Sequence, residues 1–311
     1  MELNRGWWTV DGGLGTLLEA RGHDLSDSLW SARLLASDPA AIQAAHEEFF
    51  AAGAQIAVSA SYQVGFEAFE RFGISRTDTE RLLASSVELA RAARSVALGA
   101  GPAPDAPLLV AASVGPYGAT CGDGSEYSGS TGLSRAELRH WHERRFEVLV
   151  DARPDLLAIE TIPTLDEATA LTDLLRGSGV PAWLSFTIEA GRLRSGEPME
   201  EGFRLADGVD ELLAVGINCS HPREVLPAIA AARAVTDRAI VVYPNSGEVW
   251  NGASRKWQGA SWSGDVKAWS DAGATLIGGC CRVMPAEVGA IRAALDSSGH
   301  ANDHGCAGSA P

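Results

Sequence analysis

Residues 275–282 read TLIGGCCR, a short apolar run followed by two glycines and two adjacent cysteines. The apolar run is typical of a buried strand. Neighbouring side chains on a regular strand point to opposite faces, so Cys280 and Cys281 can serve one site only where the backbone leaves strand geometry. The two glycines permit that departure. A similar run, VGINCS at residues 215–220, ends in a third cysteine, Cys219. If both runs are parallel strands of one barrel, the three thiols meet at the same rim.

Three converging thiolates form a metal site, and zinc is the metal that suits them best. Such a site leaves a fourth position for water or substrate. Two alternatives stay open at this point. Cys280 and Cys281 could be buried apolar residues at a strand end, because free cysteine is among the most buried residue types. A disulfide between these two adjacent residues is less favoured, since it would be strained and nothing in the sequence indicates an oxidising compartment.

The composition limits the class of protein. The 311 residues carry 40 acidic and 25 basic side chains, a formal net charge of −15, which argues against nucleic acid and anionic membranes as partners. No apolar run reaches the roughly 18 residues of a membrane span, and the N-terminus lacks a signal-peptide pattern, so we expect a cytoplasmic protein. Five cysteines in a reducing compartment favour a metal site or free thiols. Neither Cys121 nor Cys306 has a companion at ligand spacing.

The chain alternates between apolar runs and segments of helical periodicity. The eight predicted strands are 7–10, 55–61, 108–114, 156–162, 182–188, 214–219, 239–243 and 275–279. The predicted helices are 39–52, 78–98, 134–151, 165–176, 222–234, 263–272 and a last one that begins near Pro285. Strands that are apolar throughout indicate a parallel sheet covered on both sides. The simplest closure is a (β/α)8 TIM barrel in a single domain, and a doubly wound open sheet is the alternative.

Three segments fall outside the regular pattern. Residues 189–213 have the weakest helical periodicity and are predicted to form a loop over the barrel mouth, as are the Trp-rich residues 245–262. The predicted barrel domain covers residues 1–296. The remaining residues, 297–311, are rich in Gly, Ser and Ala, and we predict a disordered tail.

We predict that this tail is dispensable, because it has neither periodicity nor apolar anchors. Truncation after Asp296 should leave the thermal midpoint and the turnover nearly unchanged. A large loss of either quantity would mean that the tail docks on the barrel.

A barrel places polar residues of interest at the C-terminal ends of its strands, where chemistry occurs in this fold. Asp11 follows the first strand, Ser59 lies near the end of the second, and Glu160 lies late in the fourth. Each has a structural alternative. Asp11 precedes two glycines and could start a turn. Glu160 lies in the apolar run 156–162, where a carboxylate needs either a structural partner or a bound cation.

Several motifs together resemble the zinc-dependent homocysteine S-methyltransferases, and most closely the branch that uses S-methylmethionine as methyl donor. The likeness extends from about Val10 to Leu295, with the motifs in the expected order. They are DGGLGT at 11–16, SLWSA at 28–32, ASYQ at 60–63, WLSFT at 183–187, INC at 217–219, YPNSGE at 243–248 and GGCCR at 278–282.

The resemblance implies roles for individual residues. The three cysteines would hold Zn²⁺, and the thiol of homocysteine would fill its open position. Asp11 and Glu160 would bind the substrate ammonium, while the backbone at Gly12 and the hydroxyl of Ser59 would take the carboxylate. No protein nucleophile is implied, because the donor, S-methylmethionine or alternatively S-adenosylmethionine, transfers its methyl group to the zinc-bound thiolate to give methionine.

The sequence is also compatible with two other functions. A selenocysteine Se-methyltransferase would share these residues, and a non-catalytic metal-binding or amino-acid-binding barrel would differ by a closed fourth metal position. The sequence leaves the donor preference and the oligomeric state undetermined.

Overall fold

A computed structural model describes residues 2–4, 6–25, 29–100, 106–251, 256–258 and 262–297. Its main sheet has eight parallel strands, and all eight predicted strands are present. The fourth and seventh have the predicted bounds, the sixth begins two residues earlier and ends one residue earlier, and the other five are shorter than predicted. The eight strands are β1 (Trp8–Thr9), β2 (Ile56–Val58), β3 (Leu109–Val114), β4 (Leu156–Ile162), β5 (Ala182–Phe186), β6 (Leu212–Asn218), β7 (Ala239–Tyr243) and β8 (Leu276–Ile277).

The sheet closes on itself. Hydrogen-bonded neighbours run in sequence order from β2 to β8, and β8 pairs with β1. A parallel bridge between Val10 and Ile56, with a 3.0 Å hydrogen bond from the Asp11 amide to the Ile56 carbonyl, joins β1 to β2. This closure confirms the predicted (β/α)8 barrel and excludes the open doubly wound sheet.

Helices surround the barrel between its strands. Their bounds are α1 (Leu14–Ala20), α2 (Leu34–Ser37), α3 (Pro39–Ala51), α4 (Phe66–Arg71), α5 (Arg76–Gly99), α6 (Arg135–Asp151), α7 (Leu165–Leu175), α8 (Met199–Phe203), α9 (Val225–Arg233), α10 (Val266–Asp271) and α11 (Pro285–Ser297). Local sequence explains several helix starts: the Asp38 side chain caps α3, and Ser134 with Glu137 forms a capping box at the start of α6. None of the described helices is long and apolar enough to cross a membrane.

The strands are buried on both faces because the fold has two apolar layers. One fills the barrel interior and includes Trp8, Leu156 and the fully buried Trp183. The other lies between the sheet and the helices and includes Leu157 and Ile159 of β4. Alternate residues of one strand thus enter different layers, which is why the strands are apolar throughout.

The two predicted mouth loops contain more regular structure than the sequence indicated. The 189–213 connection begins with a hairpin of Ile188–Glu189 and Arg192–Leu193 and continues into α8, so the prediction of a plain loop was wrong there. Helix α8 has only five residues, too few to show periodicity, and packs Phe203 edge-on against Phe186 at 5.9 Å. The 245–262 stretch contains a hairpin of Val249–Asn251 and Lys256–Gln258, and several of its residues lie outside the described ones.

The division into a barrel of residues 1–296 and a tail of 297–311 stays a prediction. Helix α11 ends at Ser297, whose hydroxyl donates to the Ala294 carbonyl at 2.9 Å. Residues 298–311, and with them Cys306, lie outside the described part of the chain.

A buried arginine on α6 holds the loops that follow β2 and β3. The Arg145 guanidinium has no exposed surface and donates to the backbone carbonyls of Ser61, Tyr62, Val64 and Gly115. Burial lowers the pKa of Arg145 to about 10, which leaves the side chain charged at neutral pH. Because each carbonyl accepts from a charged donor, both loops are fixed at the rim of the barrel.

Candidate metal and substrate site at the barrel mouth

The three cysteines lie close together at the C-terminal rim of the barrel, each just after the end of a strand. Their sulfur atoms all lie within 4.8 Å of one another. Cys219 follows β6, while Cys280 and Cys281 follow β8. The Cys280 amide donates to the Pro244 carbonyl at 2.8 Å, and the Cys281 amide donates to Oδ1 of Asn245 at 3.2 Å. The loop after β7 therefore fixes the backbone that presents two of the three sulfurs.

The two glycines before the cysteine pair lie just past the end of β8, so the backbone leaves strand geometry there as predicted. Neither Gly278 nor Gly279 has a positive φ. A Cβ on Gly278 would lie 2.6 Å from the Val10 carbonyl oxygen, and one on Gly279 would lie 2.2 Å from Cγ1 of Val283. The glycines thus allow close packing. The left-handed conformation occurs instead at Cys219, with a φ of 45°.

The sulfur atoms of Cys219 and Cys280 are in direct contact, paired as a disulfide in this structure, and Cys281 is a free thiol. The Cα atoms of the pair are 5.6 Å apart. Two cysteines at this Cα separation can bond to each other or face a common metal ion. Burial, and next the Glu126 carboxylate, raise the pKa of the Cys281 thiol to about 11. Without a cation at the site, this thiol stays protonated at neutral pH.

No further metal ligand joins the three cysteines within the described ranges, where they are the one group of His, Cys, Asp or Glu side chains placed to hold an ion. His221, two residues after Cys219, makes a structural hydrogen bond and is not part of the cysteine cluster. Its Nδ1 accepts a 3.1 Å hydrogen bond from the Arg223 amide and caps the short helix Pro222–Glu224.

Glu160 lies on the inner side of the same rim and is 7% exposed. Its carboxylate accepts hydrogen bonds from the Ser113 hydroxyl and, at 3.0 Å, from the Tyr243 hydroxyl. Burial raises the pKa of Glu160 to about 7, although both hydrogen bonds oppose the shift. The Glu160 side chain therefore has hydrogen-bond partners, yet it is close to half ionised at neutral pH. A bound cation would favour the ionised form.

Asp11 is the second buried carboxylate at the rim. Its Oδ2 accepts a 2.8 Å hydrogen bond from the Val58 amide across the β1–β2 seam. Burial raises the pKa of Asp11 well above its usual range, and the negative charge of Glu160 raises it further. A buried carboxylate whose ionisation is disfavoured by burial and by a second carboxylate is a place where a bound cation is stabilising.

Gly12 and Ser59 lie beside Asp11 and are tightly packed. A Cβ on Gly12 would come within 2.4 Å of the Val283 carbonyl oxygen, so the residue must be glycine. The Ser59 hydroxyl lies 2.8 Å from that of Ser61 and accepts from the Ser113 amide at 3.2 Å. Ser59 thus has protein partners in this structure.

A hydrogen-bond network behind Glu160 was missing from the predicted site residues. The Tyr243 hydroxyl, which donates to Glu160, accepts from the indole of Trp183 at 2.9 Å and lies 2.8 Å from the Ser185 hydroxyl. Ser185 in turn donates to Oδ1 of Asn218 at 3.0 Å. Polar residues at the ends of apolar strands are the available sequence signal, and they occur in the motifs at 183–187, 217–219 and 243–248. Sequence does not tell which of them pair.

Comparison with known proteins identifies the family. The family model described as homocysteine S-methyltransferase matches residues 9–295. The chain belongs to the homocysteine S-methyltransferase family. Homocysteine S-methyltransferase 4 of Zea mays is 46% identical over 302 residues, which cover 92% of this chain and 88% of the maize protein. Homocysteine S-methyltransferase 2 of Arabidopsis thaliana is 41% identical over 310 residues, 93% of each chain.

Solved structures of a member of this family have the same fold. The homocysteine methyltransferase MmuM from Escherichia coli in its metallated form superposes with a TM-score of 0.82 at 39% identity, covering 93% of this chain and 96% of MmuM. Its oxidized form gives the same TM-score at 41% identity, covering 91% of this chain and 94% of MmuM. The resemblance predicted from the sequence motifs is therefore confirmed at the level of the family.

Proposed function

We propose that this protein is a zinc-dependent homocysteine S-methyltransferase that takes its methyl group from S-methylmethionine, with S-adenosylmethionine as the alternative donor. The observation that carries the proposal is the convergence of three cysteine sulfur atoms and two buried carboxylates at the strand ends of one rim. A metal ion held by the cysteines would bind the thiol of homocysteine, and the two carboxylates would bind its ammonium group. A barrel that only stored metal would be expected to supply a fourth ligand of its own, and the described residues offer none at the cluster.

The donor set fits zinc. Zinc–sulfur bonds of about 2.3 Å in a tetrahedral site place thiolates about 3.8 Å apart. The sulfurs of Cys219, Cys280 and Cys281 lie within 4.8 Å of one another, and the Cys219–Cys280 pair, in direct contact here, would be reduced and would separate to that distance around the ion. When bound, zinc would supply the means to deprotonate a substrate thiol at neutral pH and hold it as a nucleophile.

The protein groups in this proposal bind and orient. Asp11 and Glu160 hold the substrate ammonium, while the Gly12 backbone and the Ser59 hydroxyl take the carboxylate. Tyr243 and Ser113 keep the Glu160 carboxylate in place through their hydroxyls. The donor carries an activated methyl group, so in-line displacement needs positioning and no acid, base or nucleophile from the chain. The proposed binding partners are thus the two substrates, homocysteine and the sulfonium methyl donor.

The direct test is a methyl-transfer assay on purified, zinc-replete protein. Homocysteine is supplied with S-methylmethionine or with S-adenosylmethionine separately, and methionine is quantified. We expect two methionines per homocysteine consumed with S-methylmethionine, since donor and acceptor both become methionine. A parallel reaction with selenocysteine measures acceptor preference. If no methionine forms with S-methylmethionine and none forms with S-adenosylmethionine, the proposal is refuted.

The proposed role of Glu160 predicts a pH dependence. With a pKa of about 7, Glu160 gains a proton as pH falls below 7 and loses the charge that binds the ammonium. The KM for homocysteine should therefore rise by roughly tenfold per pH unit below 7 and level off above it. Glu160→Gln cannot titrate, so its profile isolates the contribution of thiol deprotonation. Identical slopes for both proteins between pH 5.5 and 7 would contradict the role.

A further inference from the structure

The end of β4, directly after Glu160, departs from regular strand geometry. Earlier in the strand, Ala158 belongs to the layer that fills the barrel interior and Ile159 to the layer that faces the helices. Ile162 also belongs to the layer that faces the helices, although regular alternation would turn it inward. The alternation of side chains is therefore inverted between Glu160 and Ile162.

A β-bulge causes this inversion. The paired residues of β4 advance from Ile159 to Ile162, by three positions, whereas their partners on β5 advance by two. Thr161, inside the bulge, has a left-handed conformation with a φ of 60°, which is rare for a β-branched residue. Bulges occur next to active sites, where they set the direction of a side chain. Here the side chain directly before the left-handed residue is that of Glu160.

The Asn218 side chain supplies the hydrogen bonds of this bulge. Its Oδ1 accepts from the Thr161 amide at 2.7 Å, and its Nδ2 donates to the Thr161 hydroxyl at 2.7 Å. A backbone N–H can only donate, which fixes the orientation of the Asn218 amide. Both residues are fully buried, and a buried N–H without a partner is costly. Asn218 therefore stabilises the left-handed conformation of Thr161 and, with it, the bulge.

These hydrogen bonds join strands that are not neighbours. Asn218 is the last residue of β6, and β5 lies between β6 and β4 in the sheet. The hydroxyl of Ser185, on β5, donates to the same Oδ1 at 3.0 Å. The Asn218 side chain thus connects the C-terminal ends of three consecutive strands of the barrel.

Asn218 is also the residue directly before Cys219, one of the three predicted metal ligands. The Cys219 backbone has hydrogen bonds of its own, because its amide donates to the Tyr243 carbonyl at 3.3 Å and its carbonyl accepts from the Thr187 hydroxyl at 3.3 Å. Asn218 therefore continues directly into a predicted metal ligand, and through its side chain it holds the bulge that follows Glu160.

We propose that Asn218 is a positioning residue that fixes the spacing between the Glu160 carboxylate and the Cys219 sulfur, and thereby matches the site to the length of homocysteine. The inference rests on the proposed function, in which Glu160 binds the ammonium and Cys219 helps to hold the ion that takes the thiol. Three carbon atoms separate the nitrogen and the sulfur of homocysteine, and two separate those of cysteine. A fixed spacing favours the longer thiol, because both of its ends bind in the right geometry.

The test substitutes Asn218→Ala, which removes the link between β6 and β4. The KM for homocysteine, and its Kd by calorimetry on zinc-loaded protein without donor, should each rise about tenfold, while the Kd for cysteine changes by less than about twofold. Zinc content should be retained, because Cys219 keeps its backbone hydrogen bonds to Tyr243 and Thr187. Amide hydrogen exchange in a peptide that covers residues 156–162 should become faster, since the Thr161 amide loses its acceptor.

Two substitutions at Thr161 grade the effect. Thr161→Val keeps the size of the side chain and removes one of the two hydrogen bonds to Asn218, so it should raise the homocysteine Kd less than Asn218→Ala does. Thr161→Ser keeps both hydrogen bonds and should retain the wild-type preference. Thr172→Val is the matched control, because it removes a buried hydroxyl that donates to the Thr169 carbonyl at 2.9 Å within α7. It should lower the thermal midpoint and leave both Kd values unchanged.

The ratio of the Kd for cysteine to the Kd for homocysteine decides the outcome. A fall of about tenfold in Asn218→Ala, a smaller fall in Thr161→Val and none in Thr172→Val support the inference. A wild-type ratio near one, or a ratio that Asn218→Ala leaves unchanged, overturns it. If Asn218→Ala does not fold, the ratio in Thr161→Val decides. If the wild-type protein binds homocysteine but transfers no methyl group, the proposed function fails, and the ratio still decides the inference separately.

Discussion

Cys219→Ala, Cys280→Ala and Cys281→Ala should each abolish methyl transfer and remove most of the bound zinc. The reason is that three thiolates define the site, and no other candidate ligand joins the cluster within the described ranges to replace a lost one. Two thiolates bind zinc far more weakly than three, and a substrate thiol then lacks the group that ionises it. The measurements are zinc per chain by mass spectrometry and methionine formation.

Cys121→Ala and Cys306→Ala are the controls for these variants. Cys121 is a free cysteine after the short helix Tyr117–Thr120, away from the cluster in sequence and without a metal-ligand group around it among the described residues. Both controls should retain zinc and turnover. Full activity in any of the three cluster variants would show that the reaction does not use that sulfur.

Glu160→Gln should raise the KM for homocysteine by roughly ten- to a hundredfold, since a charge-assisted hydrogen bond to a buried group contributes about 1.5 to 3 kcal/mol. The amide keeps the size of the side chain, and its oxygen can still accept from Tyr243 or Ser113. Zinc content should therefore be retained and kcat should change little. Homocysteine saturation curves at fixed donor concentration measure the effect.

The matched control is Glu88→Gln on the exposed face of α5, which removes the same charge far from the mouth and should leave KM unchanged. The opposite pattern for Glu160→Gln, an intact homocysteine affinity with turnover eliminated, would give Glu160 a chemical role. The assignment of Asp11 and Glu160 to the ammonium would then be wrong.

The barrel could be predicted from the sequence because its strands are covered on both faces. Runs such as residues 156–162 are apolar at every position except Glu160 and Thr161, and strands of this kind are typical of a parallel sheet covered on both faces. The strand ends then place Asp11, Glu160 and the three cysteines on one rim, as the structure does. The location of these residues on one rim therefore follows from the parallel direction of the strands and from the position of each residue at a strand end.

Pairing within the site could not be predicted in the same way. Tyr243 ends an apolar strand and gives no sign that its hydroxyl reaches Glu160, 83 residues away in sequence. The close packing at Gly278 and Gly279 was also inaccessible, because the approach to Val10 and Val283 is a tertiary property.

The central claim is that the three-cysteine cluster binds the one metal ion on which methyl transfer depends. The most direct test is to titrate reduced, metal-free protein with Zn²⁺ and to measure methionine formation from homocysteine and S-methylmethionine at each step. Turnover should start near zero, rise linearly with bound zinc and saturate at about one equivalent per chain. Full turnover in the metal-free protein, or saturation unrelated to bound zinc, would contradict the account.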